Sequence, residues 1–99
     1  MERGGCVYIM ANGRNTVLYT GVTADLYSRV VEHKESYYPN SFTSRYNVFK
    51  LVYYESFYSI EEAIEREKQI KAGSRASKEK LINAMNPEWR DLFEEVSKW

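Results

Sequence analysis

Short apolar runs separated by polar punctuation set the outline of this chain. Cys6-Val7-Tyr8-Ile9-Met10 is a run of strand formers, and Asn12-Gly13, with Asn15 close behind, is a turn signal. Thr16-Val17-Leu18-Tyr19-Thr20 is a second such run, ended by Gly21. Two strands about a short glycine-containing loop predict a β-hairpin. Thr23 or Asp25 can cap the next segment, along which Leu26, Val30 and Val31 recur at helical spacing until about Glu35. From Tyr37 to Asn47 the chain is polar, contains Pro39 and reads as a loop; Val48 to Tyr54 returns to strand character. Ser59 opens a capping box closed by Glu62, which predicts a helix from Ile60 to about Ala72, stopped by Gly73. Ser77 can cap another helix through Met85. Asn86-Pro87 breaks that helix; Asn86 as N-cap and Pro87 in the first turn predict a last one, with Trp89, Leu92, Phe93 and Val96 as its apolar stripe. Antiparallel strands with helices packed on them make an α+β fold. No repeat, low-complexity segment or linker interrupts the order, so a single domain over 1–99 is expected.

Composition then removes alternatives. Ninety-nine residues suit one core. No apolar run approaches the roughly 18 residues of a membrane span, so no membrane association is expected. The stretch from Gly4 to Ala11 is too short for a secretory signal and runs into Asn12-Gly13, which fits a cytoplasmic setting. The single cysteine, Cys6, excludes an internal disulfide framework and reads as a small buried hydrophobe. The single histidine, His33, excludes a multi-histidine metal site within the chain. Nine residues are tyrosines, each able to bury a ring while offering a hydroxyl. The net charge of zero hides segregation: Leu51 to Glu65 carries only acids, whereas Arg66 to Lys80 has a local excess of four positive charges. Such a stretch can meet a phosphate backbone, or it can be a solvated helix face.

Several groups could carry chemistry. Arg29 and His33, four apart, share one helix face at the edge of the core. Tyr8 and Tyr19 sit on the paired strands and lie close if they face the same side. Glu67 stands in the middle of the second long helix, inside the basic stretch. A phenol, a guanidinium, an imidazole and a carboxylate are what phosphodiester hydrolysis asks for: a base for water, cations for the phosphoryl oxygens, a ligand for a metal. Each also has a plain structural reading. The tyrosines can be core aromatics, Arg29 and His33 a solvent-facing pair, Glu67 a partner for Lys71, and Asn86 a helix cap.

Taken together, Cys6-Val7-Tyr8-Ile9, Leu18-Tyr19-Thr20-Gly21, Arg29, His33, Glu67 and Asn86 resemble the GIY-YIG nuclease superfamily. The resemblance is closer to its small single-domain bacterial branch, through Leu18 to Leu26, Phe42-Thr43, Leu51 to Glu55, Arg66 to Lys71 and Asn86 to Trp89, and it covers Val7 to about Leu92. Two departures stand out: Cys-Val-Tyr replaces Gly-Ile-Tyr, and Tyr-Thr-Gly replaces Tyr-Ile-Gly, each keeping the tyrosine. Lys71 to Arg75 also lacks a tryptophan and a further basic residue common in relatives. The resemblance implies a small three-stranded antiparallel sheet flanked by helices. It implies that Tyr8 acts as or near the general base and that Tyr19 orients water or phosphate. Arg29 would contact the phosphate and His33 would assist either. Glu67 would hold a single divalent cation, Mg2+ or Mn2+, and Asn86 would support the site.

The implied activity is metal-dependent endonucleolytic hydrolysis of DNA, with repair or recombination as its setting and branched or single-stranded DNA among the substrates left open. Arg45, Lys68, Lys71 and Arg75, with Arg29, are candidate phosphate contacts. A tyrosine's pKa of about 10 is the weak point. Either nearby cations lower it, or Tyr8 relays its proton through water or His33. Two other readings stand beside this one. One is a catalytically weak nucleic-acid-binding module that recruits a partner; the other is a protein-interaction domain. Tyr37, Tyr38, Phe57 and Tyr58 are candidates for exposed aromatics, for a dimer or for base stacking.

Overall fold

The computed structural model describes residues 4–35 and 39–98. Strands β1 (Gly5–Ala11), β2 (Leu18–Thr23) and β3 (Lys50–Phe57) form one antiparallel sheet in the order β2-β1-β3. Helices α1 (Leu26–Lys34), α2 (Phe42–Arg45), α3 (Ile60–Ala72), α4 (Arg75–Met85) and α5 (Phe93–Val96) surround it. The α+β class and the flanked three-stranded sheet match the expectation. No helix among the described residues is long and apolar enough to cross a membrane.

β1 lies in the centre and is buried along its whole length. Helices cover both faces of the sheet, so both faces of this strand are apolar, and its alternation sorts two cores. Cys6, Tyr8 and Met10 pack with Leu26 and Val30 of α1 and with Leu92 and Val96 near α5. Val7, Ile9 and Ala11 pack with Ala63 and Ile70 of α3 and Ile82 of α4. A register shift between Ile9 and Met10 inserts one extra residue in β3, which puts Val52 and Tyr53 together on the α3 side.

Local signals explain most element boundaries. The Ser59 side chain accepts from the Glu62 N–H, as the capping box requires, and α3 runs Ile60–Ala72. Asp25, not Thr23, caps α1, accepting from Ser28 N–H at 3.2 Å. Five expectations need correction. β2 runs through Gly21 to Thr23, because that glycine makes room for a neighbouring ring. β3 begins at Lys50 and ends at Phe57; Val48 is buried ahead of it, its N–H donating to the Thr43 carbonyl. Ser74, not Ser77, caps α4, and accepts from the Ser77 N–H. The last helix is only Phe93–Val96: Asn86 is the C-cap of α4, and Trp89 has a φ of 54°, which no helix accommodates. The stretch read as loop also holds α2, capped by Ser41, which accepts from Ser44 N–H. Tyr37 and Tyr38 lie outside the described residues.

Candidate active site

Tyr8 is the starting point. In the β1–β2 register it faces Gly21, and a Cβ at that position would stand 2.5 Å from both Cζ and Oη of the phenol. Lacking a side chain, Gly21 lets the ring lie flat across β2. Tyr19, two residues earlier on the same strand, faces the same way, and the two ring centroids are 6.2 Å apart. The hairpin thus holds both tyrosines on the α1 side of the sheet. α1 supplies the next two groups. His33 points back to the sheet, with Nε2 3.1 Å from the Tyr8 hydroxyl. Arg29, one turn earlier, has its Nε 3.2 Å from Glu32. Tyr19, Arg29, Glu32 and His33 line a cavity of about 220 Å³, closed on its far side by Ser41, Phe42 and Thr43.

Electrostatics set the protonation states. Burial pushes the Tyr8 phenol well above the ordinary tyrosine value; Tyr19 adds to this, and the Arg29 guanidinium opposes it. Cations therefore do not make Tyr8 a phenolate in the free protein. Burial also holds His33 below its usual 6.5, and Arg29 pushes the same way while Glu32 opposes. His33 is thus a neutral imidazole at pH 7, with one donor and one acceptor nitrogen. Its second nitrogen, Nδ1, lies 2.9 Å from Thr43 Oγ1, and Thr43 Oγ1 is 3.2 Å from Ser41 Oγ. A chain of polar contacts runs from Tyr8 through His33 and Thr43 to Ser41.

In the sequence Thr43 stood out only as part of Phe42-Thr43, with no role assigned, and Ser41 and the α2 helix it caps were missed. The available signal was Ser41 itself, a capping residue after Pro39-Asn40, but four helical residues leave no periodicity to detect.

The remaining expected residues fall elsewhere. Glu67 is on α3, across the sheet from α1. Its side chain is 14% exposed and paired with Lys71 Nζ at 2.8 Å. No hydrogen bond or ion pair among the described residues joins it to Tyr8, Tyr19, Arg29 or His33. The connection runs through Lys71, which with Lys78, Leu18, Tyr19, Thr20 and Phe42 lines a second groove of about 320 Å³. Tyr19 and Phe42 belong to both hollows and form the wall between them.

Asn86 is buried and remote in role. Its Nδ2 donates to the carbonyls of Val52 at 3.2 Å and Arg90 at 2.8 Å, while its Oδ1 accepts from Arg90 N–H. It fastens the turn after α4 to β3 and supports the site only through the sheet. Arg75 is engaged by Glu79 and by the carbonyls of Thr16 and Asn15 in the hairpin turn, which makes it a clamp between α4 and the hairpin. Arg45 and Lys68 are exposed on α2 and α3.

The donor set discriminates between metals. Among the described residues no group of three His, Cys, Asp or Glu side chains is placed to hold an ion, so a zinc-type site does not fit. One largely buried carboxylate does fit an ion of the magnesium type, which keeps most of its waters and accepts one or two carboxylates. Such an ion would have to share the Glu67 carboxylate with Lys71, whose ammonium holds Oε2, or displace it.

Comparison with known proteins bears on the same residues. Residues 4–81 match the family model of the GIY-YIG catalytic domain. A UPF0213 protein of Syntrophus aciditrophicus is 40% identical over 82 residues, covering 83% of this chain and 92% of its own. A UPF0213 protein of Natronomonas pharaonis is 38% identical over 76 residues, covering 77% and 87%. The solution NMR structure of a UPF0213 protein from Bacillus halodurans aligns with a TM-score of 0.55 at 30% identity, over 88% of this chain and 90% of that one.

Proposed function

Since the chain belongs to the GIY-YIG superfamily, a superfamily of nucleases, we propose that it is a metal-dependent endonuclease hydrolysing DNA phosphodiester bonds in the cavity beside Tyr19 and Arg29. The observation that carries this reading is the 3.1 Å contact between Tyr8 Oη and His33 Nε2, beside a cavity that Arg29 also lines.

In this mechanism a phosphate enters the cavity and Arg29 takes two of its oxygens in a fork. Water attacks phosphorus and gives its proton to Tyr8 Oη as the phenol passes its own proton to His33 Nε2. The P–O bond to water forms, the bond to the leaving alkoxide breaks, and His33 is left as the imidazolium. This route removes the need for a free phenolate, which burial disfavours. It requires Nε2 to be unprotonated beforehand, so Nδ1 must carry the hydrogen and donate to Thr43 Oγ1. Thr43 is a positioning residue here: its Oγ1 can accept from Nδ1, which suits the tautomer that accepts from Tyr8. Glu67 would hold the divalent ion, which supplies a Lewis acid for the phosphate and the leaving oxygen.

Single-turnover cleavage of labelled DNA with magnesium tests this. Arg29→Ala is expected to slow cleavage about 100-fold or more, the usual loss for one charge-stabilising donor. Glu67→Ala is expected to abolish metal-dependent cleavage and to leave DNA binding largely intact. A Glu67→Ala protein that cuts like the parent would overturn the metal assignment. Tight binding by the parent with no cleavage of single-stranded, duplex, flap or junction DNA would favour the weak binding module.

A further inference from the structure

The wall shared by the two hollows carries an unexplained surface. Phe42 is 46% exposed and Tyr46 48% exposed, on and just after a helix of only four residues. Their ring centroids are 4.8 Å apart, and Phe42 in turn is 6.1 Å from Tyr19. The rings therefore continue outward from Tyr8 and Tyr19 as a row that ends in solvent. Cationic groups flank the row on both sides. Arg29 lies in the first hollow, and Lys71 and Lys78 lie in the second. Both ammonium groups are held in place, Lys71 by Glu67 and Lys78 by the Gly73 carbonyl at 3.0 Å. Among the described residues no carboxylate lines the second hollow directly, though Glu67 pairs with its Lys71, and Glu32 in the first is engaged with Arg29.

We propose that Phe42 and Tyr46, flanked by Arg29, Lys71 and Lys78, form a track for unpaired nucleotides, so that the substrate is a single-stranded segment whose bases stack on the two rings. The inference rests on the phosphodiesterase reading and specifies the form of its substrate. The chemistry favours this occupant over a duplex. A base inside a helix has both faces covered by its neighbours, so rings on a four-residue helix meet only its sugar-phosphate edge. An unpaired base offers a free face, and stacking on an aromatic side chain is insensitive to sequence. Cations on either side of the rings suit the phosphates that precede and follow such a base. Charge also separates this occupant from a second copy of the chain, which has no net negative charge to bring.

Fluorescence anisotropy in metal-free buffer tests the track without involving catalysis. The probes are a labelled 20-residue single strand, the same strand in a blunt duplex, and a flap that carries it as an overhang. An RNA strand of equal length separates the two sources of unpaired nucleotides; stacking predicts binding of both. The parent is expected to bind the strand and the flap at least about tenfold more tightly than the duplex. Phe42→Ala and Tyr46→Ala are each expected to weaken strand binding about 5- to 150-fold, the range for loss of one stacked base, with the salt slope unchanged. Phe42→Trp is expected to retain binding, and Lys78→Gln to lower the salt slope by about 0.7, one phosphate contact on a single strand. Circular dichroism confirms folding, which these exposed rings do not govern.

Duplex binding as tight as strand binding would overturn the proposal. So would alanine variants that bind like the parent, or a dimer that Phe42→Ala dissolves. The two levels fail differently. A protein that cuts DNA yet ignores Phe42→Ala loses the track and keeps its site. One that binds the strand by these rings yet never cuts keeps the track and loses the enzyme.

Discussion

Gly21 and Thr43 each govern a tyrosine or histidine they do not resemble. At Gly21 an added methyl would meet the Tyr8 phenol at 2.5 Å. Gly21→Ala is expected to destabilise the protein by about 1–3 kcal/mol, an ordinary cost of overpacking, and to push the hydroxyl off His33. Urea denaturation reads the first effect and His33 NMR the second. The chain's one histidine makes that signal unambiguous. Nitrogen-15 shifts of the ring are expected to place the proton on Nδ1 in the parent and in Thr43→Ser, and to show a tautomer mixture in Thr43→Val. A parent protonated on Nε2 would remove the proposed relay. The same imidazole sets a pH dependence. Its folded pKa lies below 6.5, so between the two values the unfolded chain binds more protons than the folded one. Stability is therefore complete above 6.5 and falls as pH drops through 6.5 toward the folded value. Cleavage is expected to fail on the same acidic side, and His33→Gln to flatten the stability profile below pH 7. The hairpin and one helical turn made Tyr8, Tyr19, Arg29 and His33 candidates in the sequence, and the resemblance singled them out from their structural readings. The contact of Thr43 with His33 was not legible, since it lies across a segment without periodic pattern.

At the scale of elements, legibility followed the strength of local signals. α3 could be read closely because Ser59 and Glu62 make a capping-box pattern in the sequence itself, and the Ser59 side chain accepts from the Glu62 N–H. The final helix was over-read because Asn86, a good cap on local grounds, is engaged instead by distant backbone: Val52 of β3 and Arg90 of the turn. That engagement gives a test. Asn86→Ala leaves two carbonyls and one N–H without their side-chain partner, and is expected to cost about 2 kcal/mol or more in denaturant. The activity per folded molecule should persist, since none of its bonds reaches the cavity. A large fall in kcat at full folding would give Asn86 a direct role. Arg75 shows the same effect among charges. The run from Arg66 to Lys80 could be read as a phosphate-binding stretch or a solvated helix face, and in the structure Arg66 pairs with Glu55 while Arg75 holds Glu79 and the hairpin turn. Glu79 is a local partner four residues on, but Glu55 and the hairpin-turn carbonyls lie outside the run, where its own charge count could not find them.

Across the whole molecule, the expected base and the expected metal ligand stand on elements of different layers of the sheet. Tyr8 belongs to the core on the α1 side, and Glu67 to α3 on the other. The β2 edge, where Tyr19 stands near Lys71, is where the two sides meet. The Glu67–Lys71 pair at 2.8 Å competes with any cation for the same carboxylate. Lys71→Ala is accordingly expected to bind manganese several-fold more tightly than the parent in calorimetric titration without DNA, and Glu67→Gln to bind none. Equal affinity in parent and Lys71→Ala would show that the ion does not use Glu67.

The central position of β1 has a consequence for how the chain acquires its shape. Its hairpin with β2 closes within a few residues, but a two-stranded ribbon is marginal alone in water. The second flank, β3, arrives some forty residues later in the sequence, and the Leu92 N–H reaches back to the Leu51 carbonyl at 2.8 Å. A growing chain on the ribosome therefore has the hairpin and α1 in hand well before the strand that completes the sheet. Commitment to the native state waits for the distant strand, and any nascent fragment that stops before it leaves its most apolar segment open to chaperones or to other chains.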